Sequence, residues 1–143
     1  MPNPHPVPTY LGMVICDNVL KDPETNKHYL LGTCTATFAR SFPARYQKLC
    51  VYTVLTGIHE RTEVRVRLVH LDNARQRDVE MMAIQGHVEA PDPLAVAELT
   101  LGLRNLIFPA EGDYRFQLLC GDELLGERKL VVRAMPAPPP TAS

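Results

Sequence analysis

The chain reads as an all-β protein folded as a two-sheet sandwich, and three observations carry that expectation. About eight segments show the apolar/polar alternation of half-buried strands, at even spacing with polar turns between them. The stretch Leu101-Gly-Leu-Arg-Asn-Leu-Ile-Phe108-Pro-Ala-Glu-Gly112-Asp-Tyr114-Arg-Phe116-Gln-Leu118 reads as strand, sharp corner, strand. Length and composition, 143 residues with 45% hydrophobic and 22% charged, suit one domain with one core.

Taken in order, the first predicted strand is Leu11 to Leu20, followed by the turn Lys21-Asp-Pro-Glu-Thr-Asn26 and a second strand, His28 to Phe38. Asp-Pro followed by polar residues favours a turn, because proline presets φ and the Asp side chain bonds nearby backbone. Leu49 to Leu55, Glu63 to Leu71 and Val79 to Val88 come next, separated by Gly57 to Arg61 and Asp72 to Gln76. Leu94 to Leu106 is read as a strand because its alternation continues to the corner, although Asp92-Pro93 is also a fair helix start. Tyr114 to Cys120 and Leu125 to Arg133 close the fold through a hairpin at Gly121-Asp-Glu123. Alternation places Leu99, Leu101 and Leu103 inward, and Tyr114, Phe116 and Leu118 inward opposite Asp113, Arg115 and Gln117.

The corner Gly112-Asp113-Tyr114 resembles the tyrosine corner of immunoglobulin-like domains, in which a phenol sits in the core and its hydroxyl bonds backbone a few residues upstream. Phe116 stands where true immunoglobulin domains place their second core cysteine, and the chain has no tryptophan. The resemblance therefore implies an immunoglobulin-like β-sandwich of about seven to eight antiparallel strands, without the inter-sheet disulfide. The whole chain is also similar to a group of small, uncharacterised bacterial β-sandwich proteins, through the Phe-Pro-x-x-Gly-x-Tyr corner at Phe108 to Tyr114 and the Leu-Gly-Glu-Arg hairpin at Leu125 to Arg128. That likeness implies no activity.

Residues 1–9 and 136–143 read as Pro-rich, disordered tails flanking a domain over 10–135, since Pro-rich segments favour extended conformations over packing. The start of the chain lacks a basic segment and an apolar run of signal-peptide length, and no run of about eighteen apolar residues suggests a membrane span. A cytoplasmic protein is expected. Cys16, Cys34, Cys50 and Cys120 lie within apolar strand patterns and read as buried free thiols, with Cys34–Cys50 and Cys16–Cys120 left open as disulfides.

Candidate chemistry is sparse. His59, His70 and His87 each sit in loops or near strand ends, where a His-x-Asp or His-x-Glu pair supplies at most two of the three ligands that a zinc site needs. Glu111 with Asp113, and Asp122 with Glu123, belong to turns. No phosphate-binding glycine loop and no Gly-x-Ser-x-Gly elbow occurs, so neither cofactor nor catalytic residues are assigned. Charge is the more informative pattern. Arg65 and Arg67 share one strand face while Arg61, Arg75 and Arg77 flank its ends, a candidate patch for an anion or an acidic partner. Glu63, Asp72 and Asp78 among them, and the lack of evident stacking aromatics, argue against nucleic acid. These features point to a non-catalytic binding or assembly module that engages a protein partner or a second copy. Its candidate contact surfaces are the loops Ser41 to Lys48, Gly57 to Arg61 and Glu89 to Pro93, together with the arginine strand. The alternative is a small enzyme or a ligand- or carbohydrate-binding domain on the same scaffold.

Overall fold

The structure, a computed structural model, describes residues 6–72 and 77–136. Ten strands run in chain order: β1 Thr9–Cys16, β2 Asn18–Lys21, β3 His28–Leu31, β4 Ala36–Ala39, β5 Ala44–Thr56, β6 Thr62–Asp72, β7 Arg77–Val88, β8 Ala97–Phe108, β9 Gly112–Cys120 and β10 Glu123–Ala134. They form a three-stranded sheet β1-β5-β8, a five-stranded sheet β4-β10-β9-β6-β7 and a separate two-stranded hairpin β2-β3. No helix among the described residues is long and apolar enough to cross a membrane.

The core lies where the inner faces of the two larger sheets meet, and alternation decides which residues enter it. From β5 come Leu49, Val51 and Leu55; from β6, Val64, Val66 and Leu68; from β8, Leu101 and Leu103; and from β9, Tyr114, Phe116 and Leu118. The corner is anchored as immunoglobulin-like sandwiches anchor theirs: the Tyr114 hydroxyl donates to the Ala110 carbonyl at 2.7 Å. The Tyr114 ring stacks on His70 at 4.4 Å and meets Phe108 edge-on at 4.9 Å. Gly112 has φ 157°, and a Cβ there would lie 2.7 Å from the His70 ring. These two sheets and their pinned corner make the chain an immunoglobulin-like β-sandwich.

Several expected boundaries move. The first predicted strand breaks at Asp17, whose N–H is drawn to the carbonyls of Leu31 at 2.9 Å and Gly32 at 3.2 Å. The second breaks at Gly32, which takes φ 69° and lets the chain leave the hairpin for the far sheet as β4. Eight predicted strands thus become ten. Among the described residues one pairing is not antiparallel: β4 runs parallel to β10, with Ala36 opposite Val131 and Ala39 opposite Ala134. β5 begins at Ala44, so the loop expected over Ser41 to Lys48 ends at Pro43. Leu94 to Val96 is neither strand nor helix, because Asp92 closes a turn by accepting the Leu94 N–H at 2.8 Å on its side chain and the Ala95 N–H at 3.1 Å on its backbone. Pro8 is buried and Thr9 opens β1, so packing begins inside the predicted first tail; residues 1–5 and 137–143 of the two tails lie outside the described residues.

Candidate functional site

Two of the three predicted contact loops come together, and the third lies apart from them. β5 is long enough to span the sandwich, so the turn before Ala44 lies at one end and the Gly57 to Arg61 loop at the other. Gly57 to Arg61 and the segment after Val88 do come together: Gly57 donates its N–H to the Pro93 carbonyl at 3.0 Å, and the Thr56 hydroxyl donates to the Ala95 carbonyl at 2.9 Å. Ile58, buried in the core, fixes this end.

The arginine strand lies on the outer face of the five-stranded sheet and is engaged with carboxylates. Arg65 and Arg67 both approach Glu80, at 3.8 and 3.9 Å, and Arg61 approaches Glu89 at 3.4 Å. Arg67 also donates through Nε to Gln117 Oε1 at 2.8 Å, and Gln117 passes a hydrogen bond on to Glu127 at 2.9 Å. Arg115 pairs with Asp78 in the same lattice. Gln117, expected on a wet face, is only 4% exposed because these long charged side chains close over it. Arg77 is exposed at the start of β7, and Arg75 lies outside the described residues.

A different surface emerges on the opposite side. The β2-β3 hairpin folds back against the outer face of the three-stranded sheet and crosses β5. Its register, Leu20 opposite Tyr29 and Val19 opposite Leu30, sorts the side chains into two faces. The inward face includes His28, whose ring centroid lies 5.5 Å from that of Tyr52 on β5 and whose Nδ1 lies 2.7 Å from Glu98 Oε2 on β8. Close as the carboxylate lies, the buried Nδ1 makes no hydrogen bond. Tyr52 donates to the same carboxylate oxygen. Burial, then the hydrogen bond to Glu98 and its charge, push the Tyr52 phenol up to about 12. Lys48 holds the base of the hairpin by donating to Asn18 Oδ1 at 3.0 Å. The outward face carries Leu20, Tyr29 and Leu31, exposed at 49%, 50% and 46%.

Beneath the hairpin, Cys16 and Cys50 face each other across β1 and β5, buried yet apart from the central core. Cys34 is tied close by, its N–H donating to the Ile15 carbonyl at 3.0 Å. All four cysteines are free. Burial raises the Cys16 thiol, with Cys50, Asp17 and Cys34 adding to it, and burial likewise raises Cys34 and Cys120. Thiols held protonated in this way are poor nucleophiles at neutral pH. Asp17, Cys34, Thr37 and Tyr46 border a cavity of about 280 Å³ floored by Leu49, Phe108 and Leu130. His59 and His87 are exposed and His70 is spent on Tyr114. Among the described residues no three His, Cys, Asp or Glu side chains gather as metal ligands would.

The sequence profile of DUF6941, a family of unknown function, matches residues 11–133, which run from β1 through β10. The chain belongs to this family. The DUF6941 match takes in the hairpin, both larger sheets and the tyrosine corner, so the surfaces described above all fall within the family's own span. Among solved structures, an immunoglobulin-like protein from Pseudomonas aeruginosa is similar at 15% identity and a TM-score of 0.45, covering 92% of this DUF6941 chain and 100% of its own. No curated protein matches.

Sequence reasoning missed the hairpin as a separate layer. The signal was present: Asn18-Val-Leu-Lys and His28-Tyr-Leu-Leu are apolar on both faces, unlike strands with one wet side.

Proposed function

We propose that this DUF6941 domain is a non-catalytic protein-interaction module whose partner docks on the outer face of the β2-β3 hairpin. The observation that carries the reading is the exposure of Leu20, Tyr29 and Leu31 on one face of a two-stranded element whose other face is already seated on the sandwich. Clustered exposed apolar side chains, with an aromatic among them, are the composition of interface cores. The ion-paired arginine lattice on the opposite side supports the same choice, since its positive charge is largely neutralised at home. The four free thiols suit a reducing cytoplasm.

The test is native mass spectrometry of tagged protein recovered gently from its own cells, beside the double variant Leu20→Asp, Leu31→Asp. The wild type is expected to carry a defined protein partner that the variant loses at unchanged melting temperature. A partner other than a second copy retained by the variant, or no such partner on the wild type, rejects the reading. A small-ligand carrier is the second reading, favoured by the cavity at Asp17, Cys34, Thr37 and Tyr46, which combines a carboxylate and hydroxyls with an apolar floor. The same spectra decide it, because a stoichiometric mass increment that Tyr46→Phe abolishes would replace the partner reading.

A further inference from the structure

We infer that the open edge of β7 is a self-association site, at which two copies of this chain join their five-stranded sheets through antiparallel β7–β7 pairing. This goes beyond the hairpin reading and uses a different surface. Among the described residues β7 pairs only with β6, which leaves a row of backbone donors and acceptors along its other side. Natural edge strands are guarded by charge, proline or shortness. The stretch Met81-Met-Ala-Ile-Gln-Gly-His-Val88 has no Asp, Glu, Lys, Arg or Pro.

The other edges differ. β4 is four residues long, and β8 carries Glu98, Arg104 and the left-handed Asn105. β1 is engaged at Ile15 by Cys34 and at Tyr10 by β10, whose Gly126 lies against the ring.

The occupant follows from self-complementarity. A bulge at Met81, marked by the register step from Leu68 opposite Met82 to Val69 opposite Glu80, separates charged Arg77 to Glu80 from the straight run Met82 to Val88. Pairing that run antiparallel with itself puts the two-fold axis at Gln85. Met82 then meets Val88 of the second copy, and Ile84 meets Gly86, whose inner side is already packed by Leu99 and Leu101 of β8. On β6, Met82, Ile84 and Gly86 stand opposite Leu68, Val66 and Val64, and Val88 opposite Thr62, so a mostly apolar face continues across the axis. On the outer face Gln85 meets Gln85, and each amide both donates and accepts. The flanking β6 charges neither help nor oppose the pairing: Glu63 shares a row with Arg67 of the other copy and the two Arg65 side chains share the central row, but with both β7 strands between them all of these lie farther apart than a screening length at physiological salt, about 8 Å.

The experiment is sedimentation and native mass spectrometry of the full chain, with Gln85→Lys and Gln85→Glu purified separately and then mixed. Gln85 is exposed and the Glu variant lies beside Arg65, so folding, checked by circular dichroism, is not at stake. Wild-type protein should dimerise at micromolar concentration. Each variant alone should raise the dissociation constant by about tenfold or more, because like charges meet at the axis, and the mixture should restore a mixed dimer. A monomeric wild type overturns the proposal. So do homodimers of either variant as tight as wild type, since the interface would then lie elsewhere. The hairpin double variant should dimerise normally, so failure here and failure of the partner reading are separable.

Discussion

Tyr52 shows how much one hydroxyl can report. Its phenol is held neutral by burial and by the Glu98 carboxylate, with ionisation pushed up to about 12 against an ordinary 10.0. A folded-state value above the unfolded one means that the contribution to stability is complete below pH 10 and is lost as pH climbs toward 12. Thermal melts across that window should therefore fall less steeply for Tyr52→Phe than for wild type, and absorbance titration of the phenolates should lose its latest-ionising group. Tyr114 makes the complementary case. Removing its hydroxyl in Tyr114→Phe leaves the packing against His70 and Phe108 intact but strands the Ala110 carbonyl, a loss of about 1 kcal/mol measurable by urea denaturation.

At the scale of elements, a glycine noted for its place in the Leu125 to Arg128 hairpin turns out to have a partner far away in sequence. A Cβ on Gly126 would lie 2.5 Å from the Tyr10 ring, so β10 can approach β1 only where that side chain is missing. Gly126→Ala should cost about 1–3 kcal/mol by overpacking, and most of that cost should vanish in a Tyr10→Ala background. Local patterns made the strands with one wet face legible: β6, β9 and β10 lie close to where alternation put them. What stayed hidden depended on distant partners. The break at Asp17 is enforced by Leu31 and Gly32, and the burial of Gln117 by Arg67 and Glu127, none of them adjacent in the chain. The hairpin face was hidden for the same reason, since only the seating of His28 on Tyr52 and Glu98 decides which side remains outside.

For the whole molecule, the two sheets divide the surface into unlike sides. One outer face is a lattice of paired charges; the other carries an added hairpin with an apolar exterior. The C-terminal strand ties the larger sheet together. Leu130 and Val132 are buried in the core, and the Met135 N–H donates to the Ala39 carbonyl at 2.7 Å. A chain ending at Pro136 should keep its melting temperature, whereas one ending at Lys129 should show no cooperative transition.

The parallel seat of β4 beside β10 also sets an order of events during synthesis. Residues 36–39 leave the ribosome early, yet their only strand partner among the described residues, 131–134, is made almost last. A nascent chain therefore carries an unsatisfied early segment through nearly the whole of its translation, and closure waits on a contact between distant parts of the chain. Stalled or prematurely ended products would expose the bare side of β9, a template for aggregation, so the cell's quality control should distinguish finished from unfinished copies of this domain sharply.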